Sequence, residues 1–206
     1  MAQKKSVVLV KRRFWTPLRI VTTFVSLAML VSLGVSSCSS NDQPSTSTGT
    51  APSRPTAAGV TLPPNVLNAE LKTVNGHSIR LADYSGKVLV VNLWATWCGP
   101  CQMEIPELVK LYNEFKSQGF EIVGLSTENP DTSAEAVREF VSSFQMGYTV
   151  GWATRDVAIS LMRGDGAIPQ SFLVTRDGRI VKRFVGFSRD TTPKQLRQAI
   201  EAALKG

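Results

Sequence analysis

The spacing of apolar residues along this chain changes several times, and each change marks an element. Val88-Leu89-Val90-Val91-Asn92-Leu93-Trp94 is a short, nearly unbroken apolar run rich in β-branched residues, the pattern of a strand buried on both faces. From Cys101 to about Gln118 the spacing becomes helical, with Ile105, Leu108, Leu111, Tyr112 and Phe115 on one side. Phe120-Glu121-Ile122-Val123-Gly124-Leu125 predicts a second buried strand. Thr132-Ser133-Ala134-Glu135 reads as a capping box opening a helix through Val137, Phe140, Val141 and Phe144. A short strand is expected around Tyr148 to Val150, and a short helix from Asp156 to Met162.

Ser171 to Thr175 and Ile180 to Val185, either side of Arg176-Asp177-Gly178-Arg179, predict a hairpin with an Asp-Gly turn. Thr192 as N-cap, Pro193 as the first helical residue and Gln195 reaching back predict the start of a last helix. Ahead of the first buried strand, Asn75-Gly76 inside Asn68 to Leu81 signals a two-residue hairpin turn. Strands alternating with helices and closed by a hairpin and a helix predict an α/β domain, a central mixed sheet flanked by helices.

The first sixty residues follow other rules. Lys4, Lys5, Lys11, Arg12, Arg13 and Arg19 precede an apolar stretch from Ile20 to Val35, which ends at Val35-Ser36-Ser37-Cys38. A basic head, an apolar middle and small residues before a cysteine describe an export signal, expected over residues 1–38. The ending resembles the lipobox of bacterial lipoproteins, in which Cys38 becomes the acylated N-terminus, although Val35 stands where leucine is commonest. The alternative is an uncleaved membrane anchor, for which this stretch is slightly short of the usual ~20 residues. Either attachment holds the rest of the chain at the extracytoplasmic side of a bacterial membrane. Residues 39–60 are Ser, Thr, Pro, Gly and Ala without periodicity, a disordered tether. Residues 61–206 remain as one domain, large enough for a core of its own.

The formal charge of +7 belongs mostly to the basic head. From Thr61 onward Lys and Arg number 16 against 15 Asp and Glu, so the domain has no electrostatic reason to bind nucleic acid.

Trp97-Cys98-Gly99-Pro100-Cys101 directly follows the first buried strand and opens the first helix. A thiolate there is stabilised by the positive end of the helix dipole and by free backbone N–H groups. Cys98 is therefore the low-pKa, attacking sulfur, and helical spacing places Cys101 within reach of a disulfide with it. Exchange then runs through a mixed disulfide that Cys101 resolves. A metal site is the other use of such a pair, but the only further Cys or His residues are Cys38 and His77, too few for a zinc set. Glu104 lies one turn beyond Cys101 on the same helical side. It is either a solvent-facing carboxylate or a proton acceptor for Cys101.

The stretch from Val91 through Asn92, Leu93, Trp94, Ala95, Thr96, Trp97, Cys98, Gly99, Pro100, Cys101, Gln102, Met103, Glu104 and Ile105 to Pro106 resembles the thioredoxin superfamily, and within it the TlpA/ResA-like membrane-tethered thiol-disulfide oxidoreductases. The resemblance runs from about Thr61 to the C-terminus. It implies a thioredoxin fold with an added N-terminal β-hairpin and a helical insertion. It implies catalysis by Cys98, Cys101 and Glu104, the last as the Glu of the family's C-x-x-C-x-x-E-x-P pattern, with Asn92 standing where thioredoxin has its buried Asp. Trp97, Gly99, Pro100, Ile168 and Pro169 would face the substrate, with Pro169 cis and the Ile168 backbone pairing with an extended client segment. Trp94 reads as core, and His77 as an exposed residue beside a turn. No cofactor is implied beyond the redox-active disulfide. The implied partners are disulfide-bearing client proteins, among them apocytochrome c with its oxidised C-x-x-C-H motif, and a membrane protein that donates thiol electrons.

Two other functions use similar parts. Peroxiredoxins place their reactive cysteine behind a Pro-x-x-x-Thr-x-x pattern, and Val91 stands where that pattern has its proline. Copper-binding modules on this fold space their cysteines more widely and add a downstream histidine, and no histidine follows Cys101.

Overall fold

A computed structural model describes residues 60–206. The export signal or anchor, Cys38 and the tether as far as residue 59 lie outside the described residues. Val60, assigned to the tether from the sequence, already belongs to a strand.

The sheet is organised around β4, Val88–Trp94, whose seven residues are all buried. Its pleat sends Val88, Val90, Asn92 and Trp94 to one face and Leu89, Val91 and Leu93 to the other, and an apolar core lies on each side. Parallel to β4 runs β5, Phe120–Ser126, and parallel to that β6, Thr149–Trp152. On its other side β4 pairs antiparallel with β7, Gln170–Val174, followed by β8, Arg179–Val185, and the two residues of β1, Val60–Thr61. The resulting order β1-β8-β7-β4-β5-β6 is the expected mixed sheet. The residues of α2 (Gly99–Phe115), α3 (Pro130–Ser143) and α5 (Thr192–Lys205) join the core of Trp94. Those of α1 (Pro64–Leu67) and α4 (Arg155–Met162) join that of Leu93. Each fully buried Leu or Val of β4 contributes about 1.5–3 kcal/mol relative to exposure, so a strand covered on both faces anchors the domain.

Helix starts are where the sequence reading needs correction. Asn129, not Thr132, caps α3: its Oδ1 accepts the Asp131 N–H at 2.9 Å, and Pro130 is the first helical residue. Proline has no N–H to lose in a first turn and its φ is already helical, so Asn129-Pro130 starts the helix ahead of the box read at Thr132. At α5 the cap moves back to Thr191. Thr192 is then the first helical residue, and its Oγ1 accepts the Ser188 N–H at 3.0 Å. Between β5 and β7 the chain adds α3, the strand β6 and α4.

The N-terminal hairpin, β2 (Leu71–Lys72) and β3 (Ser78–Ile79), turns at Asn75-Gly76 as expected, but through a longer loop. Thr73 N–H donates to His77 O at 2.8 Å, leaving Val74, Asn75 and Gly76 between them, with Gly76 at φ +83°. The hairpin closes the free edge of β6 through Val74 N–H to Val150 O (3.0 Å) and a bridge between Thr73 and Gly151. That approach depends on Gly151, where a Cβ would fall 2.8 Å from the Lys72 carbonyl oxygen. Gly151→Ala must therefore push backbone from backbone. We expect a loss of about 1–3 kcal/mol, measured as a lower urea midpoint at unchanged slope.

Candidate active site

Cys98 ends the loop that leaves β4, and it is the N-cap of α2. Its Sγ accepts the Cys101 N–H at 3.2 Å, occupying the place an Asp or Ser oxygen takes in an ordinary cap. Cys98 and Cys101 form a disulfide with a Cα–Cα separation of 5.2 Å. The Cys101 N–H, one of the first-turn donors that favour a thiolate at this end of a helix, is thus aimed at Cys98. The helix runs on through Pro106 without ending, and Pro100 lies within its first turn.

The carbonyl oxygen of Ile168 lies 3.6 Å from Cys98 Sγ, and the Ile168–Pro169 bond is cis. Trp97 is 71% exposed beside the disulfide, whereas Trp94 is fully buried against Phe140, with ring centroids 5.0 Å apart. Gly99 and Pro100 are exposed on the same rim, Pro169 is buried and Ile168 is half-buried. His77 is exposed at the hairpin, on β2–β3 rather than in this site.

Glu104 is not a solvent-facing carboxylate. The buried face of α2 comprises Cys101, Glu104, Ile105, Leu108, Leu111 and Phe115, so Glu104 occupies a position in the apolar stripe. It is 1% exposed. Its Oε2 accepts from Asn92 Nδ2 at 2.8 Å and its Oε1 from Ser171 Oγ at 3.0 Å, and the same Asn92 Nδ2 also donates to Ser171 Oγ at 3.0 Å. Asn92 and Ser171 are direct partners across β4 and β7, which places both donors on the sheet face beneath α2. Burial pushes the Glu104 carboxyl up from 4.5 to about 7, against the opposing pull of the bonds from Ser171 and Asn92. Burial also raises the Tyr148 phenol, with a smaller contribution from the charge of Glu104.

Sequence reasoning missed several residues that shape the site. Glu128 accepts the Thr96 N–H at 2.8 Å and the Thr96 hydroxyl at 2.7 Å, while Gln102 Nε2 donates to Thr96 O at 2.8 Å. The loop between Trp94 and Cys98 is held from two sides. One signal for Glu128 was present: parallel β4 and β5 bring their C-terminal ends together, and Glu128 follows the end of β5 closely. Ser171 gave no signal of its own, because only the register of β7 brings it opposite Asn92.

A disulfide whose first sulfur caps a helix, facing a cis-proline loop and backed by a buried carboxyl, defines a thiol-disulfide oxidoreductase on a thioredoxin fold. The chain belongs to the Redoxin family, whose profile matches residues 57–200. It is 32% identical over 142 residues to the thiol-disulfide oxidoreductase ResA of Bacillus thuringiensis strain Al Hakam, covering 69% of this chain and 74% of that one. Identity to ResA of Bacillus subtilis strain 168 is 36% over 119 residues, covering 58% and 64%. Among solved structures, a thiol:disulfide interchange protein of the thioredoxin family from Chlorobium tepidum TLS superposes with a TM-score of 0.60 at 26% identity, over 75% of this chain and 99% of that one.

The raised carboxyl makes stability depend on pH. Between 4.5 and about 7 the native state holds a proton that the unfolded chain has lost, so stability falls as pH rises through that window. The full loss corresponds to roughly 3 kcal/mol for a shift from 4.5 to about 7. Glu104→Gln is expected to flatten this slope in the oxidised protein, read as denaturant midpoints across the pH range.

Proposed function

We propose that this chain is a membrane-tethered, extracytoplasmic reductase of protein disulfides. The observation that carries the reading is the buried position of Glu104, one helical turn behind Cys101 and bonded to Asn92 and Ser171. A carboxyl raised to about 7 can exchange a proton with a thiol near neutrality.

The chemistry starts from the reduced dithiol. The Cys98 thiolate attacks one sulfur of a client disulfide, forming a mixed disulfide and releasing the first client thiolate. Glu104, ionised, takes the proton of Cys101. The Cys101 thiolate then attacks Cys98 Sγ, the client's second sulfur leaves as thiolate, and the Cys98–Cys101 disulfide forms. Two electrons have passed from the chain's dithiol to the client. The client segment pairs with the backbone of Ile168 and lies across Pro169, with Trp97, Gly99 and Pro100 at its other side.

Outside the cytoplasm cysteines become oxidised by default, so a reductant there needs electrons renewed by a membrane thiol donor. The basic and apolar head of the chain, and Cys38 as a lipidation site, support attachment to the membrane. Among the described residues no helix is long and apolar enough to cross a membrane. A client of the apocytochrome c type, carrying an oxidised C-x-x-C-H motif, fits the reaction.

Cys101→Ser is expected to leave Cys98 joined to clients in mixed disulfides that dissolve on adding reductant. Absence of such adducts from cells expressing the full chain would overturn the reading. In the wild type the resolving step should accelerate as pH rises through about 7. Glu104→Gln should remove that acceleration, measured by stopped-flow release of the second thiol.

A further inference from the structure

We propose that Gln170, held by Arg183, is a positioning residue for client binding: it sets the shape of the loop from which Ile168 meets the incoming strand. This rests on the reading of Ile168 as the client's backbone partner.

Gln170 is the first residue of β7 and is fully buried. A side-chain amide has two donor hydrogens and an acceptor oxygen with two lone pairs, and every one of these is engaged. Its Nε2 donates to Asp165 O and to Ala167 O, both at 2.7 Å. Its Oε1 accepts from Arg183 Nε at 3.1 Å and Nη2 at 2.9 Å. Arg183 is itself fixed: Nη2 also donates to Met162 O at 2.9 Å, and the guanidinium lies over the Phe172 ring, 5.7 Å from its centroid. The Asp165 carboxylate is 3.6 Å from the same nitrogen, and its other oxygen accepts the Ala167 N–H at 3.1 Å.

The consequence falls on Ile168. The carbonyls of Asp165 and Ala167 are turned inward onto the amide, and Pro169 O accepts the Gly186 N–H at 2.8 Å. Between them, Ile168 presents its carbonyl 3.6 Å from Cys98 Sγ. No other side chain of this length meets the requirement. Glutamate would keep the bonds to Arg183 through one oxygen but, ionised, would set the other against two carbonyls. Leucine would leave both carbonyls and the guanidinium without their partner.

The test compares two electrophiles with one leaving group. One is the small symmetric disulfide of thionitrobenzoate. The other is an extended peptide whose single cysteine carries thionitrobenzoate. Both report Cys98 attack by the same colour, but only the peptide can pair with Ile168. For Gln170→Glu and Gln170→Leu the second-order rate with the peptide should fall about tenfold, the size of one backbone hydrogen bond. The small disulfide should react within about twofold of the wild type, since it needs no strand pairing. Arg183→Lys, which leaves Gln170 in place and supplies a single donor group, should give a smaller loss of the same selective kind and guards against a variant that does not fold. An unchanged peptide rate, or equal losses with both reagents, overturns the role of Gln170 and leaves the Cys98 chemistry standing. A wild-type protein that reacts with the small disulfide and not with the peptide overturns the pairing at Ile168 and this proposal with it.

Discussion

One carboxyl group lies in the apolar seam between β4 and α2, and the arrangement around it is what makes this domain more than a scaffold. Removing a carboxylate from water is costly unless donors meet it, and here they come from both sides of a strand pair. Asn92 supplies one and Ser171 the other. The seam therefore ties together the register of β4 and β7, the face that α2 turns inward and the protonation of Glu104. Slipping β7 by one residue would turn Ser171 to the opposite face and leave Oε1 of Glu104 without its donor.

The disulfide depends on the same seam from the other end. Cys101 and Glu104 project from one stripe of α2, so the inward face that buries the carboxyl also buries the second sulfur. Cys98, one turn earlier, is left at the helix start with the Cys101 N–H aimed at it. Two sulfurs of unlike surroundings follow from where the helix begins.

Much of this was legible in the residues. The unbroken apolar run of β4, the helical spacing after it and the cysteine pair at their junction determine the centre of the fold and the site. Glu104 was legible as a carboxylate on the side of Cys101. Whether it faced solvent stayed open until the structure placed it in the buried stripe with Cys101, Ile105 and Leu108. What was not legible depends on register and on long-range contact. Ser171 reads as an ordinary strand residue until β7 is placed against β4. Glu128, Gln170 and Arg183 act on backbone groups whose positions no local pattern specifies. The helix starts at Asn129 and Thr191 were misjudged because two plausible caps lay close together in each case, and the proline decided between them at α3.

The borders of the sheet carry a last implication. On one flank the β2–β3 hairpin occupies the open side of β6. On the opposite flank, among the described residues, β1 pairs with Arg179 and Ile180 at the start of β8, and Lys182 lies exposed farther along. A stray polypeptide seeking free main-chain groups meets a paired hairpin at one margin and an exposed lysine at the other, features that disfavour fibril-like stacking of copies.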